Sequence, residues 1–259
     1  MQKHRSFNIL GSVAIVNFPD KTKSSNKKKF ALEILSKNKN IKTVLEKSGR
    51  FTGRLRKMQT KHLAGEKNKE VLYRENNCAF RFNIDTTYFS PRLSNERKEI
   101  SSLIKKNDDV LVMFAGVAPF SIIIAKNSKA KLVISNEINR KANKYAELNI
   151  ELNKLKNKVE LASGDIKKVA PRLKKKFDVI VMPRPQLKDS FLEQAFKLSK
   201  KGTRIYYYDF CKIDEISKIE EKIKNEAKKF KKKIKILKSK IAGEVGPYKI
   251  RVRVDLRVL

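Results

Sequence analysis

Cysteine, histidine and tryptophan are nearly missing from this chain: two, two and none in 259 residues. Cys78 and Cys211 alone cannot build a disulfide scaffold or a cysteine-based zinc site. His4 and His62 lie far apart in sequence, which argues against a histidine metal site or a Ser-His-Asp triad. No uncharged run approaches the roughly 20 apolar residues of a membrane helix. The opening MQKHRSFNILGSVAIV does not resemble a signal peptide, because Asn8, Gly11 and Ser12 interrupt its apolar stretch and no small-residue cleavage site follows. A basic interfacial anchor with exposed tryptophan is absent too. The expectation is a cytoplasmic protein with no membrane attachment and no metal. Acid is also in short supply, with 27 Asp and Glu against 62 Lys and Arg, a net charge of +35. A field of that size attracts polyanions. A general lysine bias would usually raise glutamate as well, so the imbalance favours nucleic acid as the partner.

Hydrophobic residues make up 40% of the chain, enough for one large or two small domains. Residues 7–18 read as strand, glycine turn and strand. Residues 27–48 carry apolar positions at the spacing of one or two amphipathic helices. Short strand-like pieces follow over 51–82. Residues 1–86 therefore read as a small α+β unit whose strands interleave arginine, lysine and aromatics. From residue 87 to 259 strands and helices alternate. Strands are expected at 110–115, 131–135, 159–165, 178–182, 204–210 and 249–258. Helices are expected at 93–106, 140–153, 187–200 and 214–236. The lysine-rich run at 228–240 reads by default as a solvated amphipathic helix. This alternation predicts an α/β fold, a doubly wound Rossmann-type domain preceded by the smaller unit.

In such a sheet the ligand sits at the carboxyl ends of the strands, where small residues let the backbone come close. FAGVAPF places Ala115, Gly116 and Ala118 after the first Rossmann strand. Glu137 follows about 20 residues later, where a carboxylate can accept ribose hydroxyls; the alternative is a surface charge. Asp165 after the third strand can accept from an adenine amino group, or can simply cap the helix that begins at Ile166. In order at three successive strand ends, these residues point to a nucleoside cofactor.

YFSPRLSNER (88–97) is a more specific signature. With FNILGSVAIVNFP (7–19), FTGRLRKMQTKHLAG (51–65), LYREN (72–76), MFAGVAPFSI (113–122), NIELNKL (149–155) and IYYYDF (205–210), the chain resembles the archaeal and eukaryotic tRNA methyltransferases that make N1-methylguanosine just 3′ of the anticodon. The resemblance runs through essentially the whole chain. Many members carry a further small N-terminal domain, and this sequence begins directly at the second. The resemblance implies a class I methyltransferase using S-adenosylmethionine, acting as a monomer on the anticodon arm of tRNA, with no obligate protein partner. It implies Glu96 as the base that removes the N1 proton and Arg56 as the cation facing the developing charge on O6. It implies a cofactor site of Arg97, Phe114, Ala115, Gly116, Glu137, Ile138, Asp165, Ile166, Met182 and Pro183. RNA contacts fall to Arg54, Arg56, Lys57, Arg74, Arg92 and Arg184.

Three positions depart from the family pattern. Val112 stands where the first strand usually ends in Asp. Ala118 adds a methyl where the backbone is expected to near the cofactor. The usual Asn-x-Pro wall reads Met182-Pro183-Arg184-Pro185, in which Arg184 is expected to replace the lost polar contact. Two other readings stay open. One is a wybutosine-pathway enzyme, bifunctional or not, that methylates the tricyclic base made from the same guanosine. The other is a catalytically inactive tRNA-binding relative, against which the retention of Glu96, Arg56, Glu137 and Asp165 argues.

Overall fold

A computed structural model describes residues 7–49, 55 and 58–259. A four-stranded sheet comes first, in the order β1 (Phe7–Leu10), β2 (Val13–Val16), β3 (Thr43–Lys47), β4 (Thr60–Gly65). β2 and β3 are parallel and are joined through helix α1 (Ser24–Lys37). The four residues of β2 are all buried, because the sheet is covered on both faces. Ala14, Val16 and Val44 pack on Ala31 and Ile34 of α1. Val13, Ile15 and Leu45 face the other way, towards Val71, Phe80 and Phe82. The expectation of helix through residue 48 is corrected here. The helix ends at Lys37, and β-branched Thr43 and Val44 lie in a strand paired on both edges.

A hairpin follows, β5 (Glu70–Glu75) and β6 (Cys78–Asn83). Its two-residue turn is Asn76-Asn77, both at positive φ, as a primed hairpin turn requires. Gly11, in the β1–β2 turn at φ +55, lies against this hairpin, and a Cβ there would stand 2.4 Å from the Leu72 carbonyl oxygen.

The large sheet has seven strands in the order β12 (Ile234–Gly246), β13 (Lys249–Val258), β11 (Ser199–Lys212), β10 (Phe177–Met182), β7 (Asp109–Met113), β8 (Leu132–Glu137), β9 (Val159–Ser163). β9 to β11 are parallel, and β13 and then β12 add antiparallel. Helices α2 (Ser94–Leu103), α3 (Pro119–Asn127) and α4 (Arg140–Leu152) cover one face, and α5 (Ile166–Val169), α6 (Leu192–Lys197) and α7 (Ile216–Lys229) the other. The strand VLVM shows the division: Val110 and Val112 point to the first face, Leu111 and Met113 to the second. Val112, fully buried, thus fills core where the family pattern has Asp. The chain builds β7, β8 and β9 outward and then returns to β10 on the other side of β7. That reversal is where ligands bind in such sheets.

The small units are tied to the large one by asparagine. Asn149 of α4 and Asn153, which caps that helix, bond the free edge of β6 as a strand would. Arg81 N donates to Asn149 Oδ1 (2.6 Å), and Ala79 N to Asn153 Oδ1 (2.9 Å). The two amide nitrogens return bonds to the Arg81 and Ala79 carbonyls (3.1 and 2.7 Å).

Two further expectations change. The helix read over 187–200 is only Leu192–Lys197, because Ser199 already belongs to β11. The long helix read over 214–236 stops at Lys229, and residues 234–246 form β12. Ile234 and Ile236 alternate inward onto the second core, and pairing with β13 decides in favour of strand. Among the described residues no helix is long and apolar enough to cross a membrane. Cys78 and Cys211 are both buried and unpaired, and burial pushes the Cys78 thiol up to about 11.

Candidate active site

The turn after β7 alternates left-handed residues. Phe114 and Gly116 have φ of +59 and Ala118 +66 before Pro119 opens α3. A Cβ on Gly116 would lie 3.3 Å from the Tyr88 carbonyl oxygen, so the glycine permits both the φ and the close approach. This turn is bonded to the end of β8. Gly116 N donates to Glu137 Oε2 (2.8 Å), Asn139 N to Glu137 Oε1 (2.7 Å), and Ala115 N to the Asn136 carbonyl (2.8 Å). Burial pushes the Glu137 carboxyl above its ordinary value, while the amides of Asn139, Gly116 and Ile138 pull against that shift. Asn136 Nδ2 bonds the Ala162 and Gly164 carbonyls (2.6 and 3.0 Å) and sets the end of β9. Asp165 Oδ1 accepts from Lys167 N (3.0 Å) and caps α5. The result is a cleft, open to solvent, at the strand ends. Phe114, Gly116, Glu137, Ile138, Asp165 and Ile166 line one end. Leu93, Pro185 and Arg251 are among the lining of the other, and Leu55, Pro183 and Tyr88, whose carbonyl lies against Gly116, also border the cleft.

The second end is built around α2 and β13. Leu93 lies at the cleft, and Glu96, one helical turn deeper, is buried and outside the lining. Its Oε2 accepts from Tyr208 Oη (3.0 Å) and Arg253 Nη1 (2.9 Å), and its Oε1 pairs with Lys240 Nζ (2.8 Å). Burial, and then the adjacent Glu96 carboxylate, drive the Tyr208 phenol well above its ordinary value, so it donates rather than ionises. Arg253 also binds Glu99 and Asp255.

Residues 71–237 match the family described as TRM5/TYW2 methyltransferase domain, and residues 2–68 the TYW2 N-terminal domain. The chain belongs to the TRM5/TYW2 methyltransferase family. It is 35% identical, over 98% of its length and 74% of the relative's, to the tRNA (guanine(37)-N(1))-methyltransferase Trm5b of Pyrococcus abyssi. It is 32% identical to the tRNA (guanine(37)-N(1))/4-demethylwyosine(37)-methyltransferase Taw22 of Nanoarchaeum equitans, over 98% of this chain and all of the relative. Among solved structures it resembles Methanocaldococcus jannaschii Trm5 in complex with adenosine (TM-score 0.81, 30% identity, 98% of this chain, 74% of that one). It likewise resembles aTrm5 in complex with tRNALeu (TM-score 0.84, 28% identity, 98% and 72%).

Within this family frame, the fold brings together seven of the ten expected cofactor residues: Phe114, Gly116, Glu137, Ile138, Asp165, Ile166 and Pro183. The other three lie outside the lining. Ala115 and Met182 point into the core, since both sit among inward-facing apolar neighbours. Arg97 is spent on Glu75, which it grips through Nε and Nη2, and on the Ser90 carbonyl (2.9 Å), between the Phe89 and Phe120 rings. It fastens the β5–β6 hairpin rather than the cofactor. Arg184 borders the cleft, yet its guanidinium is buried and tied to Asp209 and to the carbonyls of Leu187 (2.5 Å) and Asp189 (2.7 Å). Both terminal nitrogens are therefore taken and only a buried Nε lacks a partner, so Arg184 does not offer RNA the polar contact expected of it. Glu96 is brought next to the cleft but not into it. Arg74 and Arg92 are exposed. Arg74 borders a separate depression with Lys126 and Lys154, about 13 Å along α3 from the cleft turn. Arg54, Arg56 and Lys57 lie outside the described residues.

Sequence reasoning missed Tyr88, Leu93 and Arg251 in the cleft wall, and Arg253, Lys240 and Tyr208 around Glu96. One signal was available: KIRVRVDLRV alternates valine with arginine, so one face of a central strand had to bury arginines among acids or a ligand.

Proposed function

We propose that this protein methylates N1 of guanosine 37 in tRNA with S-adenosylmethionine as donor. The observation that carries the reading is Glu137, a carboxylate anchored by the Gly116 and Asn139 amides at the switch point of the sheet, in a chain so similar to guanine-37 methyltransferases. The residues fit the cofactor: an acceptor for ribose hydroxyls, an acid at Asp165 for an adenine amino group, and a turn that a Cβ at Gly116 would crowd. Bound there, S-adenosylmethionine supplies an electrophilic methyl group on a sulfonium sulfur.

The protein's own part is to orient and to move one proton. Glu96 is assigned the N1 proton. Arg253 and Tyr208 hold it from the core side, and Lys240, whose amine reaches the surface, is the partner that can be drawn away when RNA arrives. Arg56 is assigned the charge that develops on O6. Arg54, Lys57, Arg74 and Arg92 are assigned to phosphates of the anticodon arm, in keeping with the net charge of +35. Residues 1–86 serve as the RNA-contacting unit and 87–259 as the cofactor unit, with the β5–β6 hairpin as the joint. The enzyme works as a cytoplasmic monomer, since one chain supplies both ends of the cleft.

The test is to incubate the protein with labelled S-adenosylmethionine and unmodified tRNA carrying G37, digest, and identify the nucleoside. N1-methylguanosine is the expected product. The match of residues 2–68 to the TYW2 N-terminal domain, and the dual name of the Nanoarchaeum relative, favour one second reading. In it, a tricyclic 4-demethylwyosine base is also methylated. Product on that tRNA alone would replace the first reading with the second.

A further inference from the structure

Among the described residues, the buried arginines have carboxylate partners, with one exception at the cleft. Arg97 has Glu75, Arg184 has Asp209, and Arg253 has Glu96, Glu99 and Asp255. Arg251 is only 8% exposed, yet no carboxylate among the described residues pairs with it. Its guanidinium lies over the Phe210 ring, 5.1 Å from the centroid. A desolvated cation without a counter-ion is costly, and the cost is recovered when an anion binds.

The strand register places this residue. β11 runs parallel to β10, so its last residue, Lys212, is on the cleft side of the sheet. Lys249 pairs with Lys212, Arg251 with Phe210, and Arg253 with Tyr208. The β12–β13 tip, Gly246-Pro247-Tyr248, therefore projects beside the cleft. Tyr248 stands at that tip, 85% exposed and at φ +56. It is three residues from Arg251, about 10 Å along the strand. A large aromatic left in water in a left-handed backbone conformation is not explained by packing. Lys212 and Lys249 flank the tip, with Glu244 as the nearby acid on β12. The wall is at the far side of the sheet from Glu137 and Asp165, so it meets the substrate end of the cleft. The family match at residue 237 stops short of it.

We propose that the β12–β13 hairpin grips the RNA at the mouth of the cleft. Arg251 receives a phosphodiester oxygen of the target nucleotide, and Tyr248 stacks on a neighbouring base that is splayed from the loop. Arginine's planar fork suits phosphate, and stacking on an aromatic ring tolerates any base. The inference rests on the reading of the cleft as an RNA methylation site.

The test measures equilibrium affinity for a G37 tRNA transcript across salt, and separately for S-adenosylmethionine, in the full chain. Arg251→Ala weakens tRNA binding about tenfold or more and lowers the salt slope by about one, with cofactor affinity held within about twofold. Arg251→Lys recovers the slope but only part of the affinity. Tyr248→Ala weakens tRNA binding about tenfold without changing the slope, and Tyr248→Phe, which keeps the ring, recovers most of that loss. Loss of cofactor affinity with tRNA binding intact would overturn the proposal, because the anion would then be the carboxylate of the cofactor. Unchanged binding of both would overturn it too. If the wild-type protein binds tRNA through this hairpin yet forms no N1-methylguanosine, the proposed methylation fails while the RNA grip stands.

Discussion

Glu137 and Glu96 are both carboxylates set beside the same cleft, and they are held in opposite ways. Glu137 is held by the backbone amides of Gly116, Asn139 and Ile138 and lines the cleft. Glu96 takes Arg253, Lys240 and Tyr208 and turns towards the core. Backbone amides cannot leave without unfolding the turn, so the cofactor end is prebuilt. Side-chain partners can be exchanged, so the RNA end is in place but closed upon itself. A polyanion at this end is expected to compete for Lys240, which pairs with Glu99 as well as Glu96. Preorganisation for the small ligand and rearrangement for the large one follow from which atoms do the holding.

The largest effect is expected at Glu96. A general base contributes roughly 10²–10⁴-fold, so Glu96→Gln should lower kcat by at least about a hundredfold in single-turnover assays. Affinity for S-adenosylmethionine and for tRNA should hold within about twofold, since a base acts on the step and not on binding. The variant should fold, because Arg253 keeps Glu99 and Asp255. Unchanged kcat with a lowered thermal midpoint would make Glu96 a structural anchor. The contrast between the two carboxylates would then lose its catalytic meaning.

Glu137→Gln should act next, and on the opposite readout. Cofactor affinity falls about 10–100-fold, the scale of losing charged hydrogen bonds to two hydroxyls, while tRNA affinity is kept. The pH dependence has a definite sign. Ribose hydroxyls donate to the ionised carboxylate, and burial has raised its pKa above the usual 4.5. Falling pH therefore protonates Glu137, and binding weakens sooner than an exposed glutamate would allow. Titration calorimetry from pH 8 down into the ordinary glutamate range should show this loss in the wild type and not in Glu137→Gln. A flat wild-type profile would mean that the carboxylate is not the cofactor acceptor.

The cofactor end was legible in the sequence because local chain determines it: a small-residue turn, an acid at the next strand end, a second acid at the third. The RNA end was not, because its partners are remote. Arg253 closes on Glu96 across 157 residues, and Arg97 is claimed by Glu75, 22 residues upstream. A motif names such arginines but not what they hold. The lysine-rich run fails for a different reason. Ile234 and Ile236 satisfy strand alternation as readily as an amphipathic helix face, and the choice is made by β13, a strand that lies later in the chain. Thr43–Lys47 is the same case, decided by β2 and β4.

The smallest expected effect separates the prebuilt turn from the ligand it serves. A methyl at position 118 was expected to crowd the cofactor. In the structure Ala118 is fully buried, packs in the first core and is outside the cleft lining, although its φ is +66. Ala118→Gly relieves a left-handed strain of about 1–2 kcal/mol. Against that, glycine costs about 0.5–1 kcal/mol in backbone entropy, and the lost buried methyl costs about 0.8 kcal/mol. The terms nearly cancel, so urea unfolding should shift by less than about 1 kcal/mol. Cofactor affinity should stay within about twofold, because the methyl points away from the cleft. Gly116→Ala inverts the case: its Cβ would press on the Tyr88 carbonyl oxygen at 3.3 Å in a left-handed backbone, in the turn that holds Glu137. It should therefore lose more of both stability and affinity than Ala118→Gly. A tenfold gain in affinity from Ala118→Gly would show that the turn opens towards the cofactor after all, and that the cofactor end is less rigid than its amides imply.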